Sequence, residues 1–244
     1  MHRFLIEPGW RTGDEIRIQG EELKHLSQVL RVRVGDRIAV IDGSGEEHEA
    51  ELLSVDRQEA VARRLATSVP DVEPNVEITL LQGIPKSDKM DWIVQKAVEL
   101  GAARIVPVWT EHVVRRENGD MGAKVERWNR IAREAVKQSR RTRVPQVLAP
   151  LSLEAAAAAW KGDLGILLNE NERKKDLKEL LTWYTMNRYH RLSLLVGPEG
   201  GISPAEAAYL ASCGFESVTL GNRILRTETA SVAALAILMH ETGG

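Results

Sequence analysis

Hydrophobic and polar positions change rhythm once along this chain. Up to about residue 66 the apolar residues come in short runs: Phe4-Leu5-Ile6, Ile16-Arg17-Ile18, Arg37 to Ile41, Glu49 to Val55 and Ala60 to Leu65. Short apolar or alternating runs bounded by turn residues predict strands. Asp42-Gly43-Ser44-Gly45 predicts a hairpin, because Asp-Gly tolerates the positive φ angles of a tight turn. One short helix, about Glu21 to Leu30, interrupts them. The pattern predicts a small β-barrel over residues 1–70, followed by a polar linker with two prolines, Thr67 to Asn75.

Beyond the linker, strands alternate with helices. Val76 to Leu81 reads as a strand. Met90, Ile93, Val94, Ala97 and Leu100 then recur at helical spacing, with Gly101 as a C-cap. Arg104 to Val108 is the next strand. A long helix follows, with Trp128, Ile131, Ala132, Ala135 and Ser139 on one face and Arg130, Arg133, Lys137, Arg140 and Arg141 on the other. Strands return at Leu164 to Leu168, Leu192 to Val196 and Ser217 to Leu220. Such alternation predicts an α/β domain over residues 71–244, with a mostly parallel sheet covered on both faces. Ligands in such sheets bind beyond the C-terminal strand ends.

Composition narrows the classes. The chain has 244 residues, 43% hydrophobic and 28% charged, enough for one large core or two smaller ones. Its longest apolar run is eight residues, Val232 to Met239, whereas a spanning helix needs roughly 20. Pro8-Gly9 interrupts the N-terminus too soon for a signal peptide. The single cysteine, Cys213, excludes an intramolecular disulfide framework and points to the reducing cytoplasm. The histidines do not cluster, so no metal site is expected. Net charge is −2, yet Lys124 to Arg143 holds eight basic residues against Glu126 and Glu134. That stripe is either a polyanion dock or a solvated helix face. Trp92, Trp109, Trp128 and Trp160 read as core. Trp10, beside Arg11, is a candidate base-stacking ring.

Three loops follow three consecutive strands: Leu168-Asn169-Glu170, Gly197-Pro198-Glu199-Gly200-Gly201 and Gly221-Asn222-Arg223-Ile224-Leu225-Arg226. The strand-end rule predicts that they share one crevice. The glycine-rich loop leads into Ser203-Pro204-Ala205-Glu206, a capping box. No Gly-Lys-Ser/Thr, G-x-G-x-x-G or G-x-S-x-G pattern is present, which disfavours a nucleoside-triphosphate, dinucleotide or serine-hydrolase site. Thr227 is a candidate cap for the last helix. Arg226 is placed to meet an anion, or to pair with Glu199 or Glu228.

Leu195-Val-Gly-Pro-Glu-Gly-Gly-Ile-Ser203 and Leu220-Gly-Asn-Arg-Ile-Leu-Arg-Thr-Glu-Thr-Ala230 resemble the paired motifs of bacterial 16S rRNA uridine-N3 methyltransferases, a family of the SPOUT trefoil-knot superfamily. His25 with Val29-Leu30-Arg31, Lys89-Met90, Gln95-Lys96, Glu99-Leu-Gly101, Gln138-Ser139 and Arg143-Val-Pro145 extend the likeness over nearly the whole chain. Where the family carries Pro, this chain carries Asn222.

The resemblance implies a PUA-like RNA-binding barrel, a knotted α/β domain, S-adenosyl-L-methionine as cofactor, a homodimer, and a uridine of the small ribosomal subunit as substrate. Cofactor binding falls to Leu168, Asn169, Glu170, Val196, Gly197, Pro198, Glu199, Gly200, Gly201, Leu220, Gly221, Ile224, Leu225 and Thr229. Arg226, stabilising the uracil anion, and Glu199, taking the N3 proton, become the catalytic candidates. RNA contacts fall to Arg3, Arg11, His25, Arg31, Lys86, Lys89, Arg130, Arg133, Lys137, Arg140 and Arg141. Ribose 2′-O methylation, a catalytically silent RNA-binding assembly protein and a small-molecule enzyme are the rival expectations.

Overall fold

A computed structural model describes residues 1–113, 120–159, 162–184 and 189–243. The chain divides into two compact units. One takes Met1–Glu73 with Val136–Val144, and the other takes Pro74–Ala135 with Pro145–Gly244. The first unit therefore extends past residue 70 and includes a segment that sequence order places in the second.

The first unit holds β1 (His2–Leu5), β2 (Arg11–Thr12), β3 (Glu15–Ile18), α1 (Gly20–Lys24), β4 (Arg37–Ile41), β5 (Glu47–Val55) and β6 (Ala60–Ser68). Their sheet order is β1-β4-β5-β6-β3-β2, with β1 parallel to β4 and every other pair antiparallel. Period-two alternation along β3 and β5 buries one side of each strand. Phe4, Ile16, Ile38, Ala50, Leu52 and Ala62 meet in a single core, so the sheet curls into a barrel-like wall. Trp10 packs against this core rather than standing free.

The helix expected over Glu21 to Leu30 divides. After α1 the chain widens into a π-helical turn, His25–Val29, closed by Leu30 N–H to the His25 carbonyl at 3.0 Å. Ser27 Oγ donates to the Leu23 carbonyl, and Leu23 and Leu26 both stay buried. Local side-chain bonding and core packing thus override the regular helix.

The second unit is built from β7 (Glu77–Gly83), α2 (Lys89–Glu99), β8 (Arg104–Trp109), α3 (Met121–Ser139, whose last turn counts with the first unit), β9 (Gln146–Val147), β10 (Leu151–Ser152), α4 (Leu153–Ala159), β11 (Leu164–Leu168), α5 (Leu177–Tyr184), β12 (Arg191–Val196), α6 (Pro204–Ser212), β13 (Phe215–Val218) and α7 (Thr227–Thr242). All its strands run parallel in the order β10-β8-β7-β12-β11-β13, with β9 beside β8. Leu81, Val106, Leu167 and Leu195 pack with α4 and α6 on one face. Leu80, Ile105, Ile166 and Leu194, one residue out of phase, are equally buried. A sheet covered on both faces explains the unbroken apolar strands.

Strand β13 begins two residues earlier than the apolar run suggests. Phe215 is drawn in because Gly165 on β11 leaves the space its ring fills; a Cβ there would lie 2.9 Å from the ring. Trp128 is core at 4% exposure, but Trp92 is 43% exposed, which corrects the expectation for that ring. Trp160 lies outside the described residues.

Candidate functional site

The three loops at the C-terminal ends of β11, β12 and β13 meet. Leu168 to Glu170, Val196 to Glu199 with Gly201, and Leu220 to Arg226 line one crevice of about 280 Å³. The loop after β12 folds tightly on itself: a Cβ on Gly197 would sit 3.0 Å from the Gly201 backbone, and Gly201 adopts φ +71°. The capping box at Ser203 forms as the sequence indicates. Ser203 Oγ accepts from Glu206 N–H, and the Glu206 carboxylate accepts from Ser203 N–H.

A buried polar network fixes the same loop from below. Gln82, fully buried near the end of β7, donates from Nε2 to Thr227 Oγ1 at 3.0 Å and accepts from Ser231 Oγ at 2.5 Å. Thr227 Oγ1 in turn donates to the Gly197 carbonyl at 2.6 Å. Thr227 is therefore not the N-cap of α7; Arg226 occupies that position without a side-chain cap, and the Thr227 hydroxyl is spent on the loop. An ionic strut holds the loop from the side. Lys89 Nζ lies 2.8 Å from Glu199 Oε1 and 3.2 Å from Glu228 Oε2, and Lys86 N–H donates to Glu199 at 3.1 Å.

Burial alone would raise the Glu199 carboxyl. The Lys89 hydrogen bond and the backbone N–H donors outweigh it and hold the group below the ordinary carboxylate range. A carboxylate so engaged is a weak proton acceptor, so the structure gives Glu199 a loop-holding position. Arg226 pairs with neither Glu199 nor Glu228, because Lys89 takes both. Arg226, Arg223 and Arg173 are exposed along the crevice, and none has an ion-pair partner among the described residues.

Of the sequence-predicted crevice residues, Gly200 and Thr229 lie outside the lining. The Gly200 position faces the His112 side chain instead, and Thr229 is exposed on α7. Gln82, Ser231 and Arg173 belong to no motif, so nothing local marks them; only the parallel pairing of β7 with β12 brings Gln82 under the loop.

The cationic candidates separate. Arg31, Arg130 and Arg140 are exposed, and Arg31 and Arg140 adopt positive φ, +54° and +62°. Lys86 is exposed beside the crevice loop. His25 is half-buried, edge-on to Phe4 at 6.2 Å between ring centroids. Arg133 is half-buried on α3. Several candidates are already spoken for. Arg141, 4% exposed, binds Glu73 at 2.7 Å and is not on the solvent face of α3. Lys137 pairs with Glu22 at 2.7 Å, Arg3 with Glu47, Arg11 with Asp42 at 3.5 Å, and Lys89 forms the strut. No group of three metal-ligating side chains occurs among the described residues, and no described helix is long and apolar enough to cross a membrane.

The site's motifs recur in known proteins. A family profile described as an RNA methyltransferase domain matches residues 72–239, and one described as an RNA methyltransferase PUA domain matches residues 18–63. The ribosomal RNA small subunit methyltransferase E of Bacillus subtilis is 32% identical over 249 residues, spanning 99% of this chain and 97% of the relative. The Aquifex aeolicus protein of that name is 33% identical over 243 residues, spanning 98% and 100%. A crystal structure of the Neisseria gonorrhoeae protein of that name, bound to S-adenosyl methionine, superposes with a TM-score of 0.86 at 34% identity, covering 98% of this chain and 97% of that one.

Proposed function

The chain belongs to the RNA methyltransferase family, and from that premise we propose that it methylates N3 of a uridine in the 16S rRNA of the small ribosomal subunit, with S-adenosyl-L-methionine as donor. The observation that carries this reading is the convergence of three strand-end loops on one crevice edged by three arginines that have no ionic partner among the described residues. The residues fit the donor. Leu168, Val196, Ile202, Leu220, Ile224 and Leu225 offer an apolar bed, the close-packed Gly197 loop exposes backbone, and Glu170 supplies acceptor oxygens. Bound there, the sulfonium supplies an already activated methyl group.

The chain's own residues supply position and charge. Loss of the N3 proton to solvent water leaves negative charge on the uracil, the Arg226 guanidinium at the crevice edge stabilises it, and the N3 lone pair then takes the methyl group as the donor's sulfur–carbon bond breaks. The Gln82–Thr227–Gly197 network and the Lys89–Glu199 strut hold the loop, so little reorganisation is needed when the reactants align. N3 is hidden in a base pair, so the acceptor uridine is unpaired or splayed out. Arg31, Arg130 and Arg140 serve the RNA backbone. The protein works in the cytoplasm, where small subunits mature, as a homodimer whose contacts include the apolar, part-exposed C-terminal helix α7.

The test is incubation with labelled cofactor and small subunits lacking the modification, then nucleoside mass spectrometry. 3-Methyluridine in the digest is the expected product. A 2′-O-methylated nucleoside, or no transfer despite cofactor binding, would overturn the reading.

A further inference from the structure

A second cavity opens beside the crevice, at the C-terminal ends of β7 and β8 in the same unit. Its volume is about 550 Å³, within the range of small-molecule pockets. Trp109, at the end of β8, is half-buried in its wall, with Met90 and Trp128 behind. Trp128 is locked in place by its indole N–H, which donates to Asp91 at 3.1 Å. Arg127 pairs with the same carboxylate and neutralises it. Lys86 and Lys124 stand exposed at the edge without an ion-pair partner among the described residues, against one acid, Asp88. Ser87, between Lys86 and Asp88, holds φ +60°. A non-glycine residue in that region marks a loop kept in shape by its surroundings, a frequent property of binding sites.

The two cavities share a wall. Glu199 lines the crevice, Lys86 lines the second cavity, and the Lys86 N–H to Glu199 hydrogen bond joins them. An occupant of the second cavity therefore lies next to the crevice without entering it. An aromatic wall with cations at its edge is the chemistry that holds one unpaired nucleotide, base on ring and phosphate on ammonium.

We propose that this second cavity binds a nucleotide of single-stranded RNA flanking the acceptor, its base against Trp109 and its phosphate at Lys86 and Lys124. The proposal rests on the crevice being the methyl-transfer site. The cavity then makes the enzyme select an unpaired strand, since a base held inside a duplex cannot reach Trp109.

Two measurements test it. In steady-state methylation of unmodified small subunits, Trp109→Ala and Lys124→Ala should each raise the KM for RNA by about tenfold, within the span known for loss of one stacked base. Turnover at saturation and cofactor affinity by calorimetry should stay unchanged, and Trp109→Phe should restore most of the loss. Lys124 is exposed, so its variant keeps the test alive if Trp109→Ala does not fold. Unchanged KM in folded variants overturns the proposal. Independently of turnover, a single-stranded oligouridylate containing 4-thiouridine should photo-cross-link to peptides carrying Trp109 or Met121. Cross-links confined to other surfaces also overturn the proposal. A wild-type enzyme that cross-links here yet forms no 3-methyluridine would instead overturn the reading of the crevice.

Discussion

The crevice and the basic positions differ in how much of their chemistry neighbouring residues decide. Each crevice loop continues directly from a buried strand, and the loop after β12 also leads straight into a capped helix, so a few adjacent residues determine where its backbone goes. The cations have no such anchor. Whether an arginine is free depends on acids far away in sequence: Arg141 meets Glu73 at a separation of 68 residues, and Lys137 meets Glu22 at 115. Loop geometry was therefore readable from motifs, whereas a charge stripe mixed exposed cations with structural ion pairs.

The sharpest test of this contrast is in the crevice. Arg226→Ala should lower turnover by roughly 10²–10³-fold, the usual loss for one aimed donor, with cofactor affinity by calorimetry unchanged. Near-normal turnover would show that the exposed arginine at the crevice edge has no part in charge stabilisation.

Arg141 and Arg130 should behave as opposites. Arg141→Met leaves the Glu73 carboxylate without its main partner, and breaking such a buried pair costs about 3 kcal/mol in urea unfolding. Arg130→Met, at an exposed site, should stay within about 0.5 kcal/mol and instead weaken RNA binding in a salt-dependent way. The pair also carries a pH signature. Burial raises the Glu73 carboxyl, but the Arg141 hydrogen bond and charge, with the Thr142 and Arg143 N–H donors, bring it below its ordinary value. A carboxyl depressed on folding contributes stability that is fully present above the ordinary value of 4.5 and is lost as pH falls through the lower folded value. Glu73→Gln should flatten the acid side of the stability curve. If Arg130→Met proves the more destabilising of the two, the division between free and structural cations fails.

Gln82 separates what was legible from what was not. The strands, the alternation of β and α, the hairpin at Asp42-Gly43 and the capping box at Ser203 are short-range features, and periodicity and turn chemistry expose them. The meeting of the three loops followed from one rule about parallel sheets. The network beneath them did not, because a glutamine at the end of an apolar strand looks like any solvated strand end until β7 pairs with β12. The π-helical turn at His25–Val29 and the spent hydroxyl of Thr227 were hidden for the same reason: packing partners chose them. Gln82→Leu removes the donor to Thr227 Oγ1 and an acceptor of Ser231 Oγ, leaving those hydroxyls only the Gly197 and Thr227 carbonyls; the two lost hydrogen bonds should destabilise the fold by about 1–3 kcal/mol and weaken cofactor binding by calorimetry. Lowered stability with full cofactor affinity would place the network in the core alone.

The smallest effect is expected where the sequence offered the most obvious base. Glu199 stays ionised through the neutral range because Lys89 and the Lys86 N–H favour its charged form over the opposing effect of burial. As a group depressed on folding, its contribution also disappears only on acidification. Glu199→Gln keeps an oxygen for the Lys86 N–H and for Lys89, and Lys89 keeps Glu228. The pH dependence of turnover should therefore retain its acid limb, while cofactor affinity falls only a few-fold from the loosened strut, as expected for one part-exposed ion pair of about 0.2–1 kcal/mol. A loop-holding carboxylate and a proton-accepting one differ in that single profile. Disappearance of the acid limb would return Glu199 to the reaction itself, and the crevice would then owe its proton transfer to the residue that also joins it to the second cavity.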